Sequence, residues 1–459
     1  MSINTQNRRQ FLKTSATTSA FLMAPAILRS QNANDKIRVG FIGVGNRGTG
    51  LMHRFMRNSD VEVAALCDVY KPYTTRDRSQ VDKRILDSVG GKVPKMGETF
   101  PNTVKQYSDF RDLLEDKSID AVCIATPDHW HAVQTILACD AGKDVYVEKP
   151  LTMTIKEGRR MVEVAARTNR VVTVGLNRRG SSVYLKMAKK VKAGKIGQVS
   201  VALAGRVSNM YPDGIGRFQH ADPPADLDWD MWLGPRPARP FQYNITPYKF
   251  RWWKNYSSQM GNWGVHYMDA IRWMIGERAP KFITAHGSSA LVNDDRTIPV
   301  TMEVLFEFDS GTMIKFSINE ACSGGVVKWG EVELRATEGN LFVHQGGYRI
   351  EPARPGQFQT WEEPIPDEEK TIGELLGEPE AREDSTGNLI RNFLDCVKSR
   401  NQPMCTLEEG HRSTTFAHLA NIALETGERI EWDAKNEIIT NIPKANDLLH
   451  YEYREPWSL

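Results

Sequence analysis

Lys36-Ile37-Arg38-Val39-Gly40-Phe41-Ile42 running into Gly43-Val44-Gly45-Asn46-Arg47-Gly48 is the stretch that decides the fold. The first seven residues read as a buried strand, and Thr49 to Arg57 reads as a helix. The glycines between them have separable roles. Gly43 lets the chain turn sharply, Gly45 leaves room for backbone to approach a pyrophosphate, and Gly48 lets the helix pack on the strand. The helix N-terminus then presents N–H donors to the anion. A lone G-x-G-x-x-G is a weak signal. Here a strand precedes it, a helix follows it, and a second strand, Val61 to Leu66, ends near Asp68. Asp68 lies twenty residues after Gly48, where a carboxylate accepts from ribose hydroxyls and disfavours a 2′-phosphate. The expected cofactor is therefore NAD, with NADP less favoured.

Further along, residues 72–105 are polar and read as a loop with a helix. Asp120-Ala121-Val122-Cys123-Ile124-Ala125 is another buried strand, ending at Thr126-Pro127-Asp128-His129-Trp130-His131. After a helix from about Ala132 to Ala141, the strand Asp144 to Val147 ends at Glu148-Lys149-Pro150. Alternating strands and helices imply a parallel sheet, whose ligands bind beyond the carboxyl ends of its strands. The glycine loop, Asp68, Thr126–His131 and Glu148–Lys149 all fall at such ends.

The second half has a different rhythm. Ile155–Thr168 and Val183–Ala193 read as helices, with the strand Val171–Gly175 between them leading into Asn177, Arg178 and Arg179. Strand-like runs follow at Gln198–Arg206, Ile283–Val292, Val300–Phe308, Thr312–Ile318, Val332–Ala336 and Gly339–His344. Few helices separate them, so an open, mostly antiparallel sheet is expected. Residues 351–385, rich in Pro, Glu and Gly, read as a loop excursion, and helices near Leu389–Ser399 and Glu408–Glu425 follow. The fold class is α/β: a Rossmann-like doubly wound parallel sheet plus a second α+β domain. The expected boundaries are 1–33, 34–175 and 176–459, with the late helices packing back on the first domain.

Composition narrows the function. The chain has 459 residues, 40% of them hydrophobic and 25% charged, ordinary for a globular protein of two domains. A net charge of +2 gives no support for nucleic-acid binding, and no run is long and apolar enough to span a bilayer. Residues 1–33 carry Arg8, Arg9, Lys13 and Arg29 and no acid. Asn7-Arg8-Arg9-Gln10-Phe11-Leu12-Lys13 and the Ser/Thr/Ala-rich stretch after it resemble a twin-arginine export signal. An exported, periplasmic protein is expected, carrying a tightly held cofactor loaded before export. The six cysteines are scattered and contain no C-x-x-C pair, so buried thiols are expected, with a single disulfide left open. No metal site is read.

The chemistry centres on Gly261-Asn262-Trp263-Gly264-Val265-His266-Tyr267-Met268-Asp269. Around it, residues 227–267 hold a dense run of aromatics, including Trp232, Tyr248, Phe250, Trp252, Trp253 and Trp263. Any one of these is more often core than ligand-binding. As a cluster beside a histidine they suggest a carbohydrate pocket, since aromatic faces pack on sugar C–H faces. Arg178, Arg179, Arg217 and Arg251 are candidate polar contacts. Lys149, at a strand end beside the cofactor, is expected to lose pKa on burial and to deprotonate or orient a hydroxyl. His266 titrates near neutrality and is the second proton carrier. Asp269, one turn on, has the spacing to hold its ring.

Glu148-Lys149-Pro150, after a G-x-G-x-x-G fold and a Thr-Pro…His segment, resembles the glucose–fructose oxidoreductase / inositol dehydrogenase (Gfo/Idh/MocA) family across the chain after the leader. The resemblance implies that Asn46, Arg47, Asp68, Asp128, His131, Glu148, Lys149 and Asn177 contact the cofactor, with Gly43, Gly45, Gly48, Thr126 and Pro127 around them. It makes Lys149 and His266 catalytic; Arg178, Trp252, Asn262, Trp263 and His266 are the candidate substrate contacts. The family's Asp-x-Gly-x-His here reads Asn262-Trp263-Gly264-Val265-His266, and an amide orients but does not exchange a proton. The family also implies a homo-oligomer, dimer or tetramer. Three functions are compatible with these residues. One is an oxidoreductase acting on a secondary hydroxyl of a sugar, glycoside or polyol. The second is an NAD-dependent glycosidase working by transient oxidation, although the exported N-acetylgalactosaminidase group of this family departs from Glu-Lys-Pro. The third is a non-catalytic sugar- or cofactor-binding protein.

Overall fold

The computed structural model describes residues 36–358, 364–378 and 380–459; the leader lies outside them. Six parallel strands form the first sheet: β1 (Ile37–Ile42), β2 (Val61–Cys67), β3 (Lys105–Tyr107), β4 (Ala121–Ile124), β5 (Asp144–Val147) and β6 (Val172–Val174). Their order, β3-β2-β1-β4-β5-β6, makes β1 and β4 the central neighbours, and the connections diverge to either side of them. This is the doubly wound arrangement expected, and its crevice opens above the end of β1. The central strands are apolar throughout because helices cover both faces. Phe41 in β1, Phe55 in helix α1 (Asn46–Phe55) and Tyr146 in β5 meet edge to face, at 5.5 and 5.8 Å between ring centroids.

The second sheet has ten strands: β7 (Val199–Val207), β8 (Phe282–Ser288), β9 (Thr301–Glu307), β10 (Met313–Asn319), β11 (Val332–Ala336), β12 (Gly339–His344), β13 (Gly347–Pro352), β14 (Glu368–Thr371), β15 (Ile430–Asp433) and β16 (Ile438–Ile439). The order is β14-β13-β12-β11-β7-β10-β9-β8-β15-β16. It is antiparallel except where β7 and β10 pair in parallel, with Ala202 opposite Ile314 and Ala204 opposite Phe316. Those four residues are buried, while Lys315 on the opposite face is exposed, the alternation of a sheet covered on one side. The stretch read as a loop excursion supplies β14 and a short helix, Ile372–Leu376, closed at its start by a Thr371–Glu374 capping box.

Helices join the two sheets. Helices α2 (His131–Asp140) and α3 (Ile155–Thr168) flank the first sheet; α4 (Ser182–Lys192) and α5 (Val265–Ile275) pack together against the second. Helix α6 (Ser385–Ser399) returns to the first sheet, where Phe393 meets Phe55 at 6.3 Å. Its neighbour α7 (Leu407–Thr426) buries Leu407 in the first core and Phe416 in the second. A Phe393→Ala change would cost about 3–5 kcal/mol, because the ring is fully buried. Finally, residues 450–459 lie across the first half. The Tyr453 hydroxyl donates to Glu157 on α3 at 2.6 Å. The Trp457 ring lies 4.7 Å from Trp130 and 6.0 Å from Phe110. All six cysteines are free thiols, Cys322 exposed and the others buried.

Candidate active site

The glycine loop has little freedom to vary. Gly43 has φ +82°, and a Cβ on it would lie 2.7 Å from the Thr126 amide nitrogen. A Cβ on Gly48 would lie 1.9 Å from the Gly43 carbonyl oxygen, so only glycine lets α1 seat against the end of β1. Gly45, the N-cap of α1, has no side-chain cap, and the first turn carries no acid. Its free N–H groups therefore offer a cradle for an anion. The Asp68 carboxylate accepts from the Val44 amide at 2.9 Å and the Tyr70 amide at 3.0 Å, tying β2 to the loop. Burial raises its pKa to about 6 despite those bonds. Arg76 braces the loop from outside, donating to the Val44 carbonyl and the Thr49 hydroxyl, with Glu98 as its counter-ion. The segment 72–105 begins as several short helical turns up to Lys92, where one helix was expected, and continues as a loop from 93 to 104.

A cavity of about 340 Å³ opens above these strand ends. It is lined by Gly43, Gly45, Asn46, Arg47 and Asp68 after β1 and β2, and by Thr126, Pro127 and Asp128 after β4. Glu148 and Lys149 after β5, and Asn177 after β6, complete that side. The Arg47 guanidinium pairs with Glu148 at 2.7 Å, so Glu148 acts by holding Arg47 in place. Asp128 accepts from the Ser257 hydroxyl, and burial raises its pKa.

The opposite wall comes from the second half. Met260–Gly264 forms a π-helical turn that leads directly into α5. Such turns occur disproportionately at functional sites because they offset the side chains that follow. The turn carries Asn262 and Trp263 into the cavity lining, and the first turn of α5 adds His266. Lys149 Nζ donates to the Asn262 main-chain carbonyl at 2.7 Å and to Asn262 Oδ1 at 3.0 Å. Burial outweighs the nearby Glu148 and Asp128 and lowers the lysine pKa to about 8. Burial, then the charges of Arg178 and Lys149, push His266 well below its ordinary value, so the ring is neutral. Its Nδ1 is buried without a hydrogen-bond partner.

Several candidate residues lie elsewhere. Gly48 sits behind the cavity and serves helix packing. The two ring nitrogens of His131 face the Pro150 carbonyl at 2.7 Å and the Thr126 carbonyl at 2.9 Å, so it ties two strand ends together instead of lining the cavity. Arg178 is drawn away by Glu331 at 2.8 Å, and Trp252 by Glu320, to which its indole N–H donates at 2.8 Å. Asp269 does not hold His266: it pairs with Arg179 at 2.8 Å and accepts from Ser413. Among the aromatics, Trp232, Tyr248, Phe250 and Trp263 line the cavity, whereas Trp253, Tyr256 and Tyr267 are core.

Tyr70, Tyr73, Phe110, Trp130 and Arg251 also line the cavity, and all but Arg251 went unread as site residues. Tyr70 and Tyr73 follow Asp68 closely, and that proximity to a strand end was the available signal. The lining fits a dinucleotide on three counts: the glycine cradle, the uncapped helix end, and buried unpartnered polar atoms at Tyr73 Oη and Asn177 Oδ1.

Two family descriptions match the chain. "Oxidoreductase family, NAD-binding Rossmann fold" covers residues 37–176, and "Oxidoreductase family, C-terminal alpha/beta domain" covers residues 186–459. The chain belongs to the Gfo/Idh/MocA oxidoreductase family. Its first sheet is the NAD-binding Rossmann fold of that family. Among curated Gfo/Idh/MocA relatives, a "Glycosyl hydrolase family 109 protein" of Shewanella sp. (strain W3-18-1) is 30% identical over 215 residues, 42% of this chain and 44% of the relative. An "Alpha-N-acetylgalactosaminidase" of Shewanella oneidensis is 29% identical over 213 residues, with the same coverage. The chain thus spans less than half the length of the curated relatives it matches. Solved structures share the fold at low identity. A levoglucosan dehydrogenase in complex with NADH and L-sorbose aligns with TM-score 0.60 at 16% identity, covering 86% of this chain and 99% of that one. The WlbA dehydrogenase of Bordetella pertussis, in complex with NADH and UDP-GlcNAcA, aligns with TM-score 0.59 at 16% identity, covering 87% and 99%.

Proposed function

We propose that this Gfo/Idh/MocA protein is an NAD-dependent oxidoreductase acting on a secondary hydroxyl of a sugar, glycoside or polyol. The observation that carries the reading is the Lys149 amine, held by both oxygens of Asn262 inside a cavity that also contains His266. Gly43, Gly45, Asn46, Arg47, Asp68 and Asn177 would hold the dinucleotide, and Asp68 favours NAD over NADP. When bound, that group supplies the acceptor and donor of hydride. The chain supplies the rest. In its neutral form, available near pH 8, Lys149 takes the proton from the hydroxyl oxygen. Asn262 fixes the direction of that amine without exchanging a proton. Neutral His266 offers Nδ1 to a second hydroxyl and keeps the substrate oriented. Trp232, Tyr248, Phe250 and Trp263 exclude water and present apolar faces to the sugar ring.

The curated relatives favour a second reading, a glycosidase that oxidises its substrate transiently and restores it after cleavage. An intact Lys149 places it second. Export by the twin-arginine route and assembly into a homo-oligomer belong to the proposal on the strength of the leader and the resemblance. The deciding experiment follows the near-ultraviolet band of reduced nicotinamide in protein mixed with sugars and aryl glycosides. A stoichiometric rise that persists until an acceptor is added supports the dehydrogenase. Aglycone release over many turnovers without lasting reduction supports the glycosidase. If no dinucleotide is recovered on denaturation and none binds on direct titration, both readings fail.

A further inference from the structure

Several arginines around the two cores have carboxylate partners among the described residues, whereas Arg236 and Arg239, away from the cavity, have none. Arg47 has Glu148, Arg178 has Glu331, Arg179 has Asp269, Arg272 has Glu409, and Arg296 has Asp294 and Glu320. Arg251 is without a carboxylate partner and lines the cavity. Among the described residues its guanidinium makes one hydrogen bond, to the Tyr248 carbonyl at 2.9 Å, and no ion pair. Its flat face is covered by aromatic rings, with centroids at 4.2 Å for Tyr248 and 4.5 Å for Phe250. A guanidinium stacked in this way keeps its N–H edge free for a planar acceptor. The nearby carboxylates are already engaged, Glu148 by Arg47 and Asp128 by the Ser257 hydroxyl. Arg206 is similar: it lies 4.0 Å over the ring of Trp263, itself a cavity residue, and has no carboxylate partner among the described residues.

We infer that the substrate is an anionic sugar, carrying a carboxylate or sulfate ester that Arg251 receives, with Arg206 adding positive potential at the Trp263 wall. This rests on the carbohydrate reading above and specifies its substrate class. Arg251 comes from the second half of the chain, whereas the anion cradle for a pyrophosphate is built from the first. A carboxylate matches the guanidinium fork with two parallel bonds, and a sulfate ester offers comparable oxygens.

The test measures binding to the full chain by calorimetry at pH 7, with and without added NAD. The ligands are methyl glucoside, methyl glucuronide, methyl galactoside, methyl galacturonide and glucose 6-sulfate. The expected result is that at least one anionic ligand binds about tenfold or more tighter than its neutral counterpart. Which of the uronides or the sulfate does so identifies the anion. Arg251→Gln should remove that preference while changing neutral-sugar binding less than about threefold, and Arg251→Lys should restore part of it. Equal binding of neutral and anionic ligands to the parent chain overturns the inference. So does an equal loss for both classes in Arg251→Gln, or a loss confined to NAD affinity, which would assign Arg251 to the cofactor. Should Arg251→Gln fail to fold, the parent preference and the Arg251→Lys variant decide alone. Failure of the oxidoreductase reading registers separately, as a parent that neither releases dinucleotide on denaturation nor binds added NAD while sugar binding is still measured.

Discussion

Lys149 Nζ donates to two oxygens of one residue, the main-chain carbonyl and Oδ1 of Asn262, at 2.7 and 3.0 Å. The main-chain bond survives any substitution at 262, so that position tunes the lysine without releasing it. Asn262→Asp sets a carboxylate beside the amine. The Lys149 pKa should rise from about 8 by roughly 1–2 units. The alkaline-going rise in kcat for hydroxyl oxidation should move up the pH scale by the same amount, as a pH–rate profile would register.

The lowered lysine pKa also affects stability. The folded chain holds this proton less tightly than the unfolded one, whose lysine titrates near 10.5. Below pH 8 both states carry the ammonium and its burial counts fully against folding. Between pH 8 and 10.5 the folded state is neutral there first, and the penalty fades. Lys149→Met should therefore be favoured most below pH 8. Its advantage over the parent should shrink by up to about 3 kcal/mol by pH 10.5, measured by urea unfolding across that range.

Burial, then the neighbouring cations Arg178, Lys149 and Arg47, hold the His266 pKa well below its ordinary value. The profile of kcat/KM should accordingly show no limb near 6.5. A limb at that pH which disappears in His266→Gln would refute the assignment of Lys149 as the titrating group.

Two glycines of the loop, Gly45 and Gly48, should respond unequally. A Cβ at Gly48 meets a backbone oxygen at 1.9 Å, whereas one at Gly45 meets the edge of the Tyr73 ring at 3.2 Å. Gly48→Ala should destabilise the fold by about 3 kcal/mol or more. Gly45→Ala should leave thermal unfolding nearly unchanged and weaken NAD binding, because the methyl occupies space in the cradle. Calorimetric melting and dinucleotide titration separate the two.

Asp68 bonds two amides and still faces the cavity. Asp68→Ser removes the carboxylate, which would repel a 2′-phosphate. The ratio of NADP to NAD affinity should rise by roughly tenfold or more, read from parallel titrations.

Sequence patterns revealed what repeats and what is local. The strands Val332–Ala336 and Gly339–His344 stood out through alternating apolar residues, and the first sheet through apolar runs ending in Gly, Asp, Thr-Pro and Glu-Lys. The parallel pairing of β7 with β10 was not legible, since alternation is the same whichever way a neighbour runs. Residues 72–105 were opaque because hydrogen bonds from Arg76 and Arg78 to main-chain carbonyls organise them, and no apolar period records such bonds. In the site, Lys149, Asn262 and His266 follow from strand ends and one helix. Arg178, Trp252 and Asp269 were misplaced because Glu331, Glu320 and Arg179, distant in sequence, decide where they point. Local spacing carries no trace of those partners.

Trp457 has a consequence for biosynthesis. The rings it rests on, Phe110 and Trp130, belong to the cavity wall, yet they are made more than three hundred residues before it. A ribosome-bound nascent chain can complete the parallel sheet and its glycine cradle long before that wall has its backing. Until residues 450–459 dock, Phe110 and Trp130 lack the ring that backs them, and dinucleotide met at that stage would face a wall not yet supported. Retention of the cofactor would then depend in part on the last residues to be made.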